Sequence, residues 1–120
     1  MKLHQHRVLI VEDEIFIAME VEAIVRDAGG EVVGPAMSTP QALLLIENHE
    51  ITVAILDVQL GGQNSLPVAR RLKNAGIPFV FHTGNEDNAI SPHTWPGAPI
   101  VKKPATLEAL VAAIVALKRE

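Results

Sequence analysis

Cysteine is missing from this chain altogether. Disulfides, thiolate metal sites and a cysteine nucleophile are therefore excluded, and the composition fits a cytoplasmic protein. No apolar run approaches the roughly 20 residues of a membrane span. The stretch from Met1 to Arg7 has no apolar core of the kind a signal peptide needs. Positive charge is in deficit: 10 Lys and Arg stand against 14 Asp and Glu, a net charge of −4. A general nucleic-acid surface would be basic, so that function is disfavoured. There is no internal repeat and no low-complexity linker. What the chain does have is apolar material, 48% of 120 residues, enough for one domain with one core. The expected unit is a single domain over residues 1–120 with no attached output domain.

The most informative stretch runs from Ile51 to Gly62. Val53 to Leu56 is an unbroken apolar run, which suits a strand buried on both faces of a parallel sheet. It ends in one acid, Asp57, followed by Val58, Gln59, Leu60 and a Gly61-Gly62 turn. In open α/β sheets, ligands bind at the carboxyl ends of the strands. A carboxylate there can be a nucleophile, a metal ligand or a plain helix cap.

The flanking chain alternates strand and helix. Val8 to Val11 reads as the first strand and ends in Glu12-Asp13-Glu14. A helix follows, with Ile17, Val21, Ile24 and Ala28 along one stripe, Glu22 pairing Arg26 outside it, and Gly29-Gly30 stopping it. Glu31 to Ala36 is a second strand, placed at an edge because Gly34 and Pro35 weaken it. Thr39 reads as the N-cap of a second helix with Pro40 at its first position, and Ala42, Leu45, Ile46 and His49 share a face. After Asp57, Ser65 caps a third helix with Val68, Ala69, Leu72 and Ala75 inward. Phe79-Val80-Phe81 forms a fourth strand, stopping at His82-Thr83-Gly84. Prolines from Pro92 to Pro99 leave room for only one or two turns of a fourth helix. Ile100-Val101-Lys102 is a fifth strand, followed by Lys103-Pro104. Thr106 caps a last helix with Leu107, Leu110, Val111, Ile114 and Leu117 inward. This order predicts an α/β fold: a doubly wound, flavodoxin-like, five-stranded parallel sheet covered on both sides, with a reduced fourth helix.

That fold brings Glu12, Asp13, Asp57, Thr83 and Lys103 to one crevice at the sheet edge. Three close carboxylates repel one another, and either a shared proton or a hard divalent cation relieves this. Mg2+ takes oxygen ligands and binds through a few carboxylates plus a phosphate. A lysine and a hydroxyl opposite the acids would face phosphoryl oxygens. The set suits phosphoryl transfer to an aspartate, which is ionised near neutral pH and needs no general base.

On these residues the sequence resembles the response regulator receiver domains of two-component signalling. Val8-Leu9-Ile10-Val11-Glu12-Asp13-Glu14 is similar to the acidic first-strand motif, and Ile55-Leu56-Asp57-Val58-Gln59-Leu60 to the phospho-acceptor motif. Thr83-Gly84 and Lys103-Pro104 match the hydroxyl and lysine positions. The resemblance implies that Asp57 accepts a phosphoryl group from a histidine kinase or histidine phosphotransfer protein. It implies that Glu12, Asp13, Asp57 and the backbone carbonyl of Gln59 surround Mg2+, that Thr83 bonds a phosphoryl oxygen, and that Lys103 pairs with its charge. It also implies a cis Lys103-Pro104 bond. A bacterial, cytoplasmic signalling protein is expected, catalysing only its own phosphorylation and dephosphorylation.

Two positions depart from the family pattern. Ile100 stands where most receivers carry an aromatic on the fifth strand, and His82 stands where a small residue is common. Phe81-His82-Thr83-Gly84 resembles the Phe-x-Thr-Gly signature of a subgroup of stand-alone receivers that also lack the aromatic. The other histidines form no metal set: His4 and His6 fall in a terminus expected to fray, His49 at a helix end, His93 in a loop. Gln59 and Asn85 flank the site and are expected to influence how water reaches a phosphoaspartate. Trp95, the only tryptophan, either covers the core or anchors a partner.

Other functions fit less well. A phosphate-independent interaction module with a receiver fold would not need every reactive position filled. An aspartate-nucleophile phosphatase needs a second acid two positions after the nucleophile, where Gln59 stands. A flavin carrier of this topology would not put Glu12-Asp13-Glu14 in its phosphate loop.

Overall fold

Val8 to Val11 and Val53 to Leu56 are buried at every residue, as strands covered on both faces must be. A computed structural model describes residues 2–60, 63–83, 98–103 and 107–117. The main strands are β1 (Arg7–Val11), β2 (Glu31–Ala36), β3 (Val53–Leu56), β6 (Phe79–Thr83) and β7 (Ile100–Lys102). They form one sheet in the order β2-β1-β3-β6-β7, every pair parallel. Among the described residues the helices are α1 (Ile15–Asp27), α2 (Thr39–Asn48), α3 (Leu66–Asn74) and α4 (Leu107–Val115). This is the expected flavodoxin-like fold. The reduced helix expected before β7, His93, Trp95, the Thr106 cap and the Lys103-Pro104 bond lie outside the described residues.

Strand alternation sorts the core into two layers. Leu9, Val11, Ala54, Leu56, Phe79 and Phe81 point to one face, against Ala42 and Ile46 of α2 and Val68 and Leu72 of α3. Val8, Ile10, Val53, Ile55 and Val80 point to the other, against Val21 and Val25 of α1 and Leu110 and Ile114 of α4. Such continuous burial on both faces locks the register, because a one-residue slip would exchange the two layers.

Several local expectations are corrected. The buried stripe of α1 is centred on Ala18, Val21 and Val25, with Ile17, Ile24 and Ala28 packed at its margin. The helix turns slightly further than its apolar spacing implied. The cap of α2 is Ser38, not Thr39: its extended backbone lets Oγ accept from Gln41 N at 3.3 Å, while Gln41 Oε1 accepts from Met37 N at 2.9 Å. This reciprocal pair satisfies donors that Thr39, already helical, leaves open. Ser65 precedes α3 but makes no cap bond, because its backbone (φ −93°, ψ 10°) is not extended. Asn64 Oδ1 accepts from Leu66 N instead, at 3.1 Å. On α2 and α3, His49 and Ala75 are exposed rather than inward. A small antiparallel hairpin, β4 (Gln59–Leu60) with β5 (Gln63–Asn64), follows Asp57 and was not expected.

β2 is an edge strand, as its Gly34-Pro35 pair implied. Its register with β1 shifts between Leu9 and Val11, and the Gly34-Pro35 peptide is cis. Gly34 has φ +97°, and a Cβ there would lie 2.7 Å from Ala36 N and 3.1 Å from Ile10 O, so only glycine fits. The amino-terminal segment is tied down rather than frayed. Leu3 is fully buried, its N–H donates to Ala28 O at 2.8 Å, and His6 Nδ1 lies 2.9 Å from Thr52 Oγ1. Among the described residues, no helix is long and apolar enough to cross a membrane.

Candidate functional site

Two backbone hydrogen bonds carry the sheet ladders beyond the strands and set the site. Asp57 N donates to Val11 O at 2.9 Å, holding Asp57 beside the end of β1, where Glu12 and Asp13 follow. Lys103 N donates to Thr83 O at 3.0 Å, holding Lys103 beside the end of β6. Glu12 is fixed from its other side, since its N–H donates to Ala36 O at 2.9 Å. Glu12 and Asp57 thus begin where the apolar runs of β1 and β3 end.

The side chains meet in the crevice between these strand ends. Lys103 Nζ lies 3.0 Å from Asp57 Oδ2 and 2.5 Å from Glu12 Oε1, the latter an ion pair without an aligned hydrogen bond. Carboxylate oxygens of Glu12, Asp13 and Asp57 lie within 4.8 Å of one another. Glu12, Asp57 and Thr83 are buried, Asp13 half-buried. Glu12 Oε2 also accepts from Glu14 N at 3.3 Å, just ahead of α1.

Burial and charge compete at this cluster. Desolvation, with the Asp57 carboxylate adding to it and Lys103 opposing, pushes Glu12 up to about 7. Burial disfavours the Lys103 ammonium, but the two carboxylates outweigh it and hold its pKa above the usual lysine value. Three carboxylates against one ammonium leave excess negative charge in a partly desolvated site. An oxygen-only set of this kind fits a hard divalent cation such as Mg2+.

The structure therefore brings together Glu12, Asp13, Asp57 and Lys103, with Thr83 at the adjoining strand end. Gln59 starts β4 two residues beyond Asp57. Asn85 lies outside the described residues. The Lys103–Glu12 contact is an addition, since sequence reading aimed this lysine only at a phosphoryl group. Its signal was a lone lysine facing three acids across one sheet edge.

His82 also adjoins the site. It is 5% exposed, and its Nε2 has no hydrogen-bond partner among the described residues. Burial, reinforced by the Lys103 charge, lowers its pKa to about 4, so the ring is neutral at pH 7.

The acid triad and the lysine thus stand together at the carboxyl edge of a doubly wound parallel sheet. The response regulator receiver domain model matches residues 8–115, and this chain belongs to that family. Among curated proteins, it is 35% identical over 78 residues to the transcriptional regulatory protein PdtaR of Mycobacterium tuberculosis, covering 64% of this chain and 38% of that one. It is 30% identical over 100 residues to the phyllosphere-induced regulator PhyR of Methylorubrum extorquens, covering 81% and 38%. The chain thus spans well under half the length of these relatives. The solution structure of SdrG from Sphingomonas melonis superposes with TM-score 0.82 and 38% identity over 98% of both chains. Family members of this kind are signalling domains of two-component systems rather than classical enzymes.

Proposed function

We propose that residues 1–120 act as one receiver unit in the cytoplasm, switched by phosphorylation of Asp57. The donor is a phosphohistidine on a histidine kinase or phosphotransfer protein. An Asp57 carboxylate oxygen attacks phosphorus, a P–O bond forms, the P–N bond breaks, and the imidazole leaves with the electron pair. Glu12, Asp13, Asp57 and the Gln59 carbonyl would hold Mg2+, which when bound supplies charge neutralisation and orientation at the phosphoryl group. Lys103 exchanges its carboxylate partners for phosphoryl oxygens, and the Thr83 hydroxyl donates to one of them. The observation that carries this reading is the Lys103 ammonium between Asp57 and Glu12 at a buried, oxygen-rich strand edge.

A protein donor must cover the rim of the crevice. Ile15, Phe16 and Met19, on the first turns of α1 just after Asp13, are 49%, 82% and 56% exposed. Their i, i+3 and i, i+4 spacing puts them on one apolar patch beside the acids. This patch is the docking surface for the phosphohistidine-bearing protein, and the output of the switch is likewise protein contact.

The direct experiment is intact mass after incubation with acetyl phosphate, with and without Mg2+, beside Asp57→Asn. A single Mg2+-dependent phosphoryl adduct, absent from the variant, is expected. No adduct on folded protein with several small donors would favour a phosphate-independent interaction module. An adduct surviving in Asp57→Asn would mean a different acceptor.

A further inference from the structure

His82 is a buried polar side chain beside the cluster that the proposed reaction leaves without a task. In β6, Phe81 pairs with Leu56 of β3, so His82 stands abreast of Asp57, the next residue after β3. On its other side His82 pairs with Val101, two residues before Lys103. Alternation sends its ring, with Val80, toward the layer under α1 and α4. Packing alone does not account for a histidine here. A leucine or phenylalanine would fill that apolar layer without leaving a buried nitrogen unpaired. Lys103 meanwhile has three N–H donors, of which one donates to Asp57 Oδ2, while Glu12 Oε1 is held as an ion pair.

We propose that His82 is a positioning residue for Asp57 phosphorylation, its Nε2 accepting from a remaining Lys103 N–H across one internal water. This rests on the phosphorylation reading above. Phosphorylation turns the Asp57 carboxylate into an acyl phosphate, so Lys103 must give up Asp57 Oδ2 and turn to the phosphoryl oxygens. A neutral acceptor fixed on β6 retains the ammonium over the site while the phosphoryl group arrives. Water can bridge at little cost where direct reach is short.

The test is the time course of adduct formation on the full chain with Mg2+ and varied acetyl phosphate, for wild type, His82→Leu and His82→Gln. His82→Leu is expected to keep or raise the thermal midpoint, yet lower the maximal phosphorylation rate at least ~10-fold with the half-saturating donor concentration unchanged. His82→Gln, which restores an acceptor near Nε2, should return the rate to within about threefold of wild type. A wild-type rate in His82→Leu, or equal losses in both variants, would overturn the assignment. Nuclear magnetic resonance of the wild type needs no variant: a slowly exchanging Lys103 ammonium close in space to the His82 ring is expected, and its absence also overturns it. No adduct on folded wild type would overturn the phosphorylation reading and this assignment together. An adduct on wild type with an unaffected His82→Leu overturns this assignment alone.

Discussion

Lys103 Nζ lies 3.0 Å from Asp57 Oδ2 although 46 residues separate the two in sequence. The contact exists because β3 and β7 both pair with β6, which sets their carboxyl ends one strand apart. Replacing Lys103 by methionine keeps the length of the side chain and removes the charge. The rate of adduct formation with acetyl phosphate should fall about 100-fold, in the range of other preorganised electrostatic contacts. A wild-type rate in Lys103→Met would remove this lysine from the mechanism.

Glu12 gives the site a pH dependence. A carboxyl raised to about 7 is largely protonated at pH 6 and largely ionised at pH 8. Metal binding needs the ionised form, so Mg2+ affinity should weaken below pH 7, approaching tenfold per pH unit. Calorimetric titration at pH 6 and pH 8 measures this. In Glu12→Gln the affinity at pH 8 should drop and the pH dependence over this window should largely vanish.

His82 is expected to make the fold acid-sensitive. Its pKa is depressed from 6.5 to about 4 in the folded protein, so the unfolded chain binds the extra proton. The stability tied to its neutral form is fully present above pH 6.5 and is lost as pH falls toward 4. At pH 4.5 the loss should be on the order of 2 kcal/mol. Urea denaturation of wild type and His82→Leu at pH 7 and 4.5 checks this, with the smaller decrease expected in the variant.

Phe16 separates docking from chemistry. It is 82% exposed on α1. Phe16→Asp should leave phosphorylation by acetyl phosphate within about twofold of wild type. Transfer from a phosphohistidine protein should slow at least ~10-fold, as for a hot-spot residue. Equal effects on both donors would argue against the α1 patch.

Gly34 tests the edge strand. Alanine at φ +97° would be strained, and its Cβ would meet backbone atoms of Ala36 and Ile10 rather than flexible side chains. Gly34→Ala should destabilise the fold by about 1–3 kcal/mol in urea denaturation. Because Ala36 O also receives Glu12 N, Mg2+ affinity should fall as well.

Two of the local features that sequence reading placed wrongly share a cause. Ser38 and Thr39 are both good capping residues, and only backbone conformation decided between them. Ser65 has the right chemistry for a cap but the wrong φ and ψ, so Asn64 does the work. His6 shows the same limit at longer range: nothing near it in the chain announces Thr52, 46 residues away.

The order of strands and helices was legible because apolar runs at Val8–Val11 and Val53–Leu56 can be buried only on two faces. Asp13 and Asp57 were legible as candidates because they come just after such runs, and Lys103 because it follows the short strand Ile100–Lys102 and precedes a proline. Sequence alone therefore determined which residues arrive at the carboxyl edge and which carboxylate, hydroxyl and ammonium groups they bring. Only the tertiary structure decided how they share it: that Lys103 contacts Glu12 as well as Asp57, that burial lifts Glu12 toward neutrality, and that His82 Nε2 finds no hydrogen-bond partner among the described residues. Those outcomes depend on distance and desolvation between separate strands, and neither quantity exists until the sheet closes.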